Sequence, residues 1–154
     1  MKSLNLSLFA DYFQFYIQDE GVTGDLSQSW DEEATTRLLA VAPGTIGIGT
    51  ARNMDVPVLV EICEQEPHDD LFEWGHAVEA SLEVASGHLV IAGCTNHFPD
   101  TARIEVAPGC YHARLSFAEL DSISEDRLKG DDHYWVQVWP SLPAGVRILK
   151  QRPR

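Results

Sequence analysis

Positive charge is scarce in this sequence, and the scarcity limits the possible functions. The 154 residues contain 11 Lys and Arg against 24 Asp and Glu, which gives a formal net charge of −13 and a pI near 4.6. From Asn53 to Ala102 there are ten acids and no Lys or Arg. The C-terminal end is where cations gather, at Arg147, Lys150, Arg152 and Arg154. A negative field of this size repels nucleic-acid phosphates, so we do not expect nucleic-acid binding.

Long apolar runs and paired cysteines are also absent. No apolar segment approaches the ~20 residues that a membrane-spanning helix needs, and the alternating start from Met1 to Leu8 is unlike a signal peptide. Cys63, Cys94 and Cys110 are odd in number and lack CxxC spacing, which argues against a disulfide framework or a zinc knuckle. We therefore predict a cytoplasmic protein with one domain, residues 1–154, and no membrane span.

Alternation of apolar and polar residues with period two is abundant. It is clearest at Val56 to Ile62 and His76 to Val84. Turn signals separate the alternating segments, and among them Ser86-Gly87 predicts a hairpin and Pro108-Gly109 a type II turn. About nine or ten such short segments predict an all-β fold, an antiparallel β-sandwich. The apolar parity changes near Ala10-Asp11, which predicts a bulge or a tight bend there.

One stretch departs from this alternation and predicts a single short α-helix near residues 30–41. Ser29 precedes Glu32 by three residues, the spacing of a capping box, and the first turn is acidic, as the helix dipole favours. An apolar face is expected from the i, i+4, i+7 spacing of Ala34, Leu38 and Val41. Pro43-Gly44 predicts the end of the helix.

Gly44, Gly47 and Gly49 invite comparison with phosphate-binding loops. Those loops lead from a strand into a helix whose N-terminus receives the phosphate, and many carry a Lys-Ser/Thr pair. In this chain the predicted helix precedes the glycines and no such pair follows, so nucleotide binding is not predicted. The glycines instead indicate a strand with one small-residue face, against which another segment can approach closely.

The acidic span from Glu61 to Glu83 has two interpretations. It is either a solvated face or an interaction surface for a basic protein, because so many uncompensated acids exceed what solubility requires. In the second interpretation, complementary charge speeds association and selects the partner. The predicted partner-binding residues are Glu64, Glu66, Asp69, Asp70, Glu73, Trp74, Glu79 and Glu83. Glu79 and Glu83 belong to this set because the strand pattern places them on an exposed, acidic face.

Other chemistries receive less support. His68-Asp69-Asp70 and Asp131-Asp132-His133 combine metal-ligating residue types, but a metal site would require both loops to meet. Cys63 and Cys94 lack a recognisable nucleophile context. For Trp30, Trp74, Trp135 and Trp139, core packing is favoured over ligand stacking, and a sugar-binding sandwich remains an alternative. We therefore predict a non-enzymatic protein without a cofactor or bound metal, with a metal-dependent enzyme as a further alternative.

A set of residues within the first 60 positions resembles the competence protein J family, small inhibitors of a bacterial DNA-entry nuclease. The pattern comprises Trp30, Glu32/Glu33, Ala34, Ala40-x-Ala42-x-Gly44-x-Ile46 and Arg52-Asn53, preceded by Tyr12-x-Gln14-Phe15 and followed later by Pro108-Gly109-x-Tyr111. The resemblance implies a non-enzymatic β-sandwich that binds and silences a protein, in the family's named member a nuclease. We therefore predict an inhibitor of a basic protein such as a nuclease or toxin. Independently, carboxylates of an acidic protein can occupy phosphate positions in a basic enzyme.

Overall fold

The computed structural model describes residues 2–22, 24–68, 73–93 and 101–152, and these residues form two packed β-sheets and one short α-helix. The all-β prediction is confirmed. The strands are β1 (Lys2–Phe9), β2 (Gln14–Asp19), β3 (Leu39–Ala42), β4 (Thr45–Gly49), β5 (Asp55–Ile62), β6 (His76–Val84), β7 (His88–Gly93), β8 (Ala102–Glu105), β9 (Gly109–Ala118), β10 (His133–Pro140) and β11 (Arg147–Lys150). No helix in these described ranges is long and apolar enough to cross a membrane.

The two sheets differ in size and are mainly antiparallel. The six-stranded sheet has the order β1-β5-β10-β9-β6-β11, and the five-stranded sheet has the order β3-β4-β2-β7-β8. One pair, β5 with β10, is parallel. The inner faces form the core because their apolar residues alternate with outward residues along each strand. The core includes Phe15, Ile17, Ile46 and Ile48 from the smaller sheet and Val58, Val60, Leu115, Phe117 and Val136 from the larger one.

The parity change near Ala10 corresponds to a tight bend, as predicted, and the bend carries the chain from one sheet to the other. β1 ends in the six-stranded sheet, a turn of 3-10 helix spans Asp11–Phe13, and β2 begins in the five-stranded sheet. Tyr12 and Phe13 have left-handed φ angles of 60° and 59°. This conformation costs roughly 1–2 kcal/mol per residue for residues other than glycine. The bend therefore contains backbone strain, and Tyr12 in it is 70% exposed.

The predicted helix is shorter than residues 30–41. The helix α1 spans Glu32–Arg37, and its N-cap is Asp31, whose Oδ1 accepts a hydrogen bond from Ala34 N at 2.8 Å, rather than Ser29. Leu38, with a φ of 61°, ends the helix, and the predicted helical end at Leu39 to Val41 is strand β3. The prediction was wrong there because apolar residues at positions 39 and 41 fit an inward strand face as well as a helix face.

Two predicted turns exist, but they connect different sheets. The turn at Ser86-Gly87 leads from β6 in the larger sheet to β7 in the smaller one, and Pro108-Gly109 leads from β8 back to β9. The hairpin prediction for Ser86-Gly87 was wrong because turn residues specify a chain reversal and not the pairing of the flanking strands. Ser86 N instead donates to the Asp19 carboxylate at 3.1 Å, which holds the turn against the end of β2.

The outer face of the five-stranded sheet is covered by the segment from Leu26 to Leu38. A Cβ atom on Gly47 would lie 2.7 Å from Leu26 Cδ1 and 3.0 Å from Trp30 Cζ2, so only glycine fits under this segment. Trp30 Nε1 donates to Gln14 Oε1 at 2.9 Å, which fixes the indole on the sheet. The predicted close approach to a small-residue strand face is confirmed.

A buried histidine connects this covering segment to the C-terminal end of the chain. His76 at the start of β6 has no exposed surface; its Nε2 lies 2.6 Å from the Arg37 carbonyl oxygen, and its Nδ1 accepts from Arg152 N at 3.1 Å. Both bonds form together when the ring is neutral, with its proton on Nε2. Burial lowers the pKa of His76 below 6.5; the Arg37 carbonyl partly opposes this effect, and the Arg152 charge adds to it.

Candidate protein-binding surface

The outer face of the six-stranded sheet carries polar, acidic and aromatic side chains in neighbouring rows. Strand register places Asn5, Leu59 and Trp135 side by side on β1, β5 and β10. The next row runs across four strands through Glu61, Gln137, Arg114 and Glu79. Outward residues alternate with core residues on each strand, so the same pattern that builds the core presents this surface.

Glu79 lies inside a buried charged cluster, which differs from the exposed acidic face predicted for β6. The residue is 3% exposed; its Oε2 accepts from Arg114 Nε at 2.8 Å, and its Oε1 lies 3.0 Å from His112 Nε2. The Arg114 guanidinium and the His112 ring both lie 5.2 Å from a Trp139 ring centroid. Burying a charge is costly unless it is paired, so this carboxylate is held by its neighbours and does not reach the surface.

The acidic segment after β5 is anchored at its base and exposed at its carboxylates. Arg114 Nη1 donates to the Pro67 carbonyl at 3.1 Å, and Cys63 N donates to the Val138 carbonyl at 2.7 Å. Glu64 and Glu66, between these two points, are exposed. Arg114 thus neutralises a buried acid and also positions two solvent-facing acids.

The predicted partner-binding residues divide into four groups in the structure. Exposed positions are occupied by Glu64, Glu66, Glu73 and Glu83. Trp74 is half-buried, and Glu79 is buried. Asp69 and Asp70 lie outside the described residues. The exposed acids and Trp74 thus have the accessibility that the binding hypothesis requires. Glu79 does not, because it is buried against Arg114 and His112.

An apolar groove lies on the six-stranded sheet, where β1, β5 and β10 are neighbours. Trp74 packs on Trp135 with ring centroids 5.2 Å apart and meets the edge of His133 at 5.7 Å. The groove has a volume of about 410 Å³ and is lined by Asn5, Leu6, Pro57, Val58, Leu59, Trp74, His133, Tyr134 and Trp135. The buried indole Nε1 of Trp135 has no hydrogen-bond partner in the described part of the chain. An aromatic groove with charged neighbours resembles the centre of a protein interface.

Sequence reasoning missed Trp135 and Arg114 as parts of this surface. Trp135 was assigned with the other tryptophans to core packing, yet it is half-buried and faces the groove, while Trp139 of the same strand is buried. Arg114 stands at a polar position between the core residues Ala113 and Leu115, and this alternation was the available signal. Its pairing with Glu79 depends on strand register, which the sequence does not specify.

The metal and nucleophile alternatives gain no support from the described residues. Asp132 is fully buried, accepts from Arg52 Nε at 2.5 Å and from the Tyr134 hydroxyl at 2.5 Å, and is thus a structural group. Among residues 2–22, 24–68, 73–93 and 101–152, no three His, Cys, Asp or Glu side chains are grouped to hold a metal ion.

Burial and the nearby Glu61 raise the pKa of the Cys63 thiol, which disfavours the nucleophilic thiolate. Cys94 lies outside the described residues.

Comparisons with known proteins identify the fold. No family model matches the chain, and no curated protein sequence matches it. The crystal structure of ComJ, inhibitor of the DNA-degrading activity of NucA, from Bacillus subtilis, matches with a TM-score of 0.67 and 18% identity over 92% of this chain and 96% of that chain. The fold is shared. Crocagin biosynthetic gene J matches with a TM-score of 0.56 and 12% identity over 91% of this chain and 96% of that chain. The predicted resemblance to the competence protein J family is thus confirmed for the fold.

The residues that carried the resemblance to ComJ have structural roles in this chain. Arg52 pairs with the buried Asp132, and Asn53 Oδ1 accepts from Tyr12 N at 2.8 Å. Gly44 forms the β3–β4 turn with a φ of 68°. These contacts fix loops and turns of this chain, so these residues are structural here.

Proposed function

We propose that this protein is a non-enzymatic binding module that inhibits a basic protein, in the first instance a DNA-degrading nuclease. The observation that carries the proposal is the aromatic groove of Trp74 and Trp135 on the sheet whose strand β5 leads into the segment with the exposed carboxylates of Glu64 and Glu66. Stable interfaces combine an apolar, aromatic centre with a polar rim. The negative charge of these carboxylates supports a cationic partner.

The fold neighbour supports the choice of a nuclease. ComJ inhibits the DNA-degrading activity of NucA and shares this fold over almost the whole chain. A nuclease must attract the phosphates of its substrate, and therefore presents cationic side chains at its active site. Carboxylates on a rigid sheet can pair with those cations and exclude the DNA. Inhibition then follows from occupation of the substrate site.

An assay of DNA degradation with and without the protein tests this proposal. The enzymes are purified NucA and basic DNA-degrading enzymes from the protein's own source cells. We expect stoichiometric loss of DNA degradation by at least one of these enzymes, with weaker inhibition at higher salt because charge attraction is screened. Purified ComJ acting on NucA is the positive control. Full DNA degradation by every enzyme at a tenfold excess of the protein would overturn the proposal.

Charge reversal locates the surface. The double variant Glu64→Lys/Glu66→Lys should slow association with the inhibited enzyme by about tenfold or more at low salt, because steering by complementary charge is lost. Glu32→Lys/Glu33→Lys on α1 is the matched control, since it changes the same net charge at two exposed acids on another part of the molecule. Equal slowing of both variants would show that overall charge acts and that this surface does not.

One observation favours a second candidate function, binding of a small polar ligand such as a sugar in the groove. The volume of about 410 Å³ is within the usual range for small-molecule sites, and Trp135 Nε1 lacks a partner in the described chain. The fold also occurs in crocagin biosynthetic gene J. A saturable change in tryptophan fluorescence with a sugar panel, lost in Trp74→Ala, would support this function, and no change at millimolar sugar would refute it.

A further inference from the structure

We propose that the binding surface continues past the groove onto one end of the sandwich, where Phe9, Tyr12, Phe13 and Met54 form a second contact patch for the same basic partner. We call these four residues the end patch. The inference rests on the proposed function and extends it, because it assigns part of the interface to a region that neither the acidic span nor the groove includes.

The end patch adjoins the groove along β1 and β5. Pro57, which lines the groove, is opposite Ser7, and the next outward pair along the same strands is Phe9 with Asp55. Beyond this pair, Ala10 N donates to the Met54 carbonyl at 3.0 Å, which joins the bend after β1 to the loop before β5. Successive outward positions on a strand are two residues, or about 7 Å, apart. A partner that contacts Ser7 and Pro57 at the groove is therefore one such step from Phe9.

The size of a stable interface requires a contact area of this kind. A standard complex buries about 800 Å² on each partner, with roughly 20–30 residues, whereas a groove of about 410 Å³ holds only a few side chains. Among the described residues, the exposed large apolar side chains at the Phe9–Asp55 end of β1 and β5 include those of the end patch. Phe9 is 39% exposed, Tyr12 70%, Phe13 42% and Met54 42%.

Backbone strain supports a binding role for Tyr12 and Phe13. Both have left-handed φ angles near 60°, a conformation that Gly or Asn adopts at lower cost. Two hydrogen bonds hold the strained turn. Tyr12 N donates to Asn53 Oδ1 at 2.8 Å, and Thr50 N donates to the Phe13 carbonyl at 2.9 Å. Since neither ring is buried in the core, the fold gains little from aromatic residues here, and strain of this kind is found at functional sites.

The charges around the end patch select a basic partner over a second copy of the chain. Asp11 and Asp55 flank the patch. Of the nearby cations, Arg52 is engaged with Asp132, and Arg152 lines a pocket together with Tyr12 and Phe13. On the neighbouring loop, Arg127 and Lys129 are balanced by Glu125 and Asp126. A second copy with a net charge of −13 would meet repulsion at this contact, whereas a cationic protein with apolar side chains would be attracted.

Tyr12→Asn separates a binding role from a structural one. Asn adopts the left-handed conformation readily, so the melting temperature of the variant should equal or exceed that of the wild type. Its complex with the enzyme that the wild type inhibits, either NucA or a nuclease from the source cells, should dissociate at least tenfold faster. Leu142→Ser, at an 83% exposed residue outside the surface, is the matched control and should change neither quantity. Sedimentation of each purified protein alone reports on self-association.

The outcomes distinguish the two proposals. If wild type inhibits an enzyme and Tyr12→Asn dissociates from it at the wild-type rate, the end patch is refuted and the proposed function stands. If wild type inhibits no enzyme, the proposed function falls and the end patch falls with it. A wild-type dimer that Tyr12→Asn converts to a monomer would assign the patch to self-association and refute the basic partner there. A lower melting temperature with unchanged dissociation would assign Tyr12 to stability alone.

Discussion

The two outer faces of the sandwich differ in how the chain covers them. On the five-stranded sheet, Leu26 and Trp30 pack over Gly47, where a Cβ atom would have no room. On the six-stranded sheet, the outward row contains a buried charged cluster around Glu79 and, next to it, an open groove at Trp135. Small residues thus occur where the chain covers its own sheet, and large aromatic and acidic residues occur where part of the sheet is uncovered.

The difference suggests how to separate structural residues from the proposed binding residues in this molecule. Polar residues on a covered face are bonded within the chain, as Gln14 is to Trp30, and their loss should lower stability. Acids on the uncovered face, such as Glu64, are exposed and should be replaceable without loss of stability. Glu79 is the informative exception because it lies on the uncovered sheet but belongs to a buried cluster.

The largest effect is expected for Glu79→Ala. Removing one member of a buried ion pair leaves the other charge without a partner, which typically costs about 3–5 kcal/mol of unfolding free energy. Arg114, 5% exposed, would be left in this state and would also lose its position under Pro67. Urea denaturation measures the change. Glu83→Ala, at an exposed acid of the same strand, should remain within about 0.5 kcal/mol of wild type, and equal losses in both variants would contradict the buried-cluster assignment.

A smaller loss is expected when the covered face is overpacked. Gly47→Val places methyl groups where Leu26 Cδ1 and the Trp30 ring lie, and overpacking of this kind costs roughly 1–3 kcal/mol. Gly145→Val is the control because no described residue lies within 4 Å of a Cβ atom at that position. Urea denaturation compares the two variants, and a Gly47→Val protein as stable as the control would show that the covering segment moves away without cost.

The smallest effect is expected on the pH dependence of stability, through His76, which connects the covering segment to the C-terminal end of the chain. Since the pKa of His76 is lower in the folded protein than its ordinary value of 6.5, the unfolded chain binds more protons as the pH falls through 6.5. The contribution of His76 to stability is therefore fully present above pH 7 and decreases towards pH 5. Melting temperatures across this range should fall for wild type and for the exposed-site control His68→Gln. They should fall less for His76→Gln, and an identical slope in all three proteins would contradict the assignment.

Local pattern was sufficient to predict most of the strands. The alternation in residues 56–62, 76–84 and 134–139 corresponds to β5, β6 and β10, because an inward and an outward face must differ in polarity wherever a sheet covers a core. Pattern failed at residues 39–41, where apolar spacing fits helix and strand alike. It also failed at Ser86-Gly87, since the sheet that a strand joins depends on distant partners such as Asp19.

The exposed acids of the candidate surface could be predicted from the sequence, but the burial of Glu79 and the presence of the groove could not. The absence of cations between residues 53 and 102 marked the exposed Glu64 and Glu66. That Glu79 is buried follows from the β6–β9 register, which sets it opposite Arg114, a residue 35 positions later. The groove likewise depends on Trp74 and Trp135 meeting across a long sequence separation, which composition and local alternation do not encode.

The parallel pair β5–β10 has a consequence for how the protein folds. β10 lies between β5 and β9, so it is the strand through which the β1–β5 pair joins the rest of the six-stranded sheet. Tyr134 of β10 is opposite Val58 of β5, a contact between residues far apart in sequence. Pairings of such high contact order are slow, and all-β proteins dominated by them fold in milliseconds to seconds.

Until β10 is in place, the edges of β5 and β9 both lack a partner and can pair with other chains. The same strand carries Trp135, so the groove is absent from any intermediate that lacks β10. The groove therefore forms no earlier than closure of the sheet. A nascent or refolding chain acquires this proposed binding surface only when the open edges of β5 and β9 disappear.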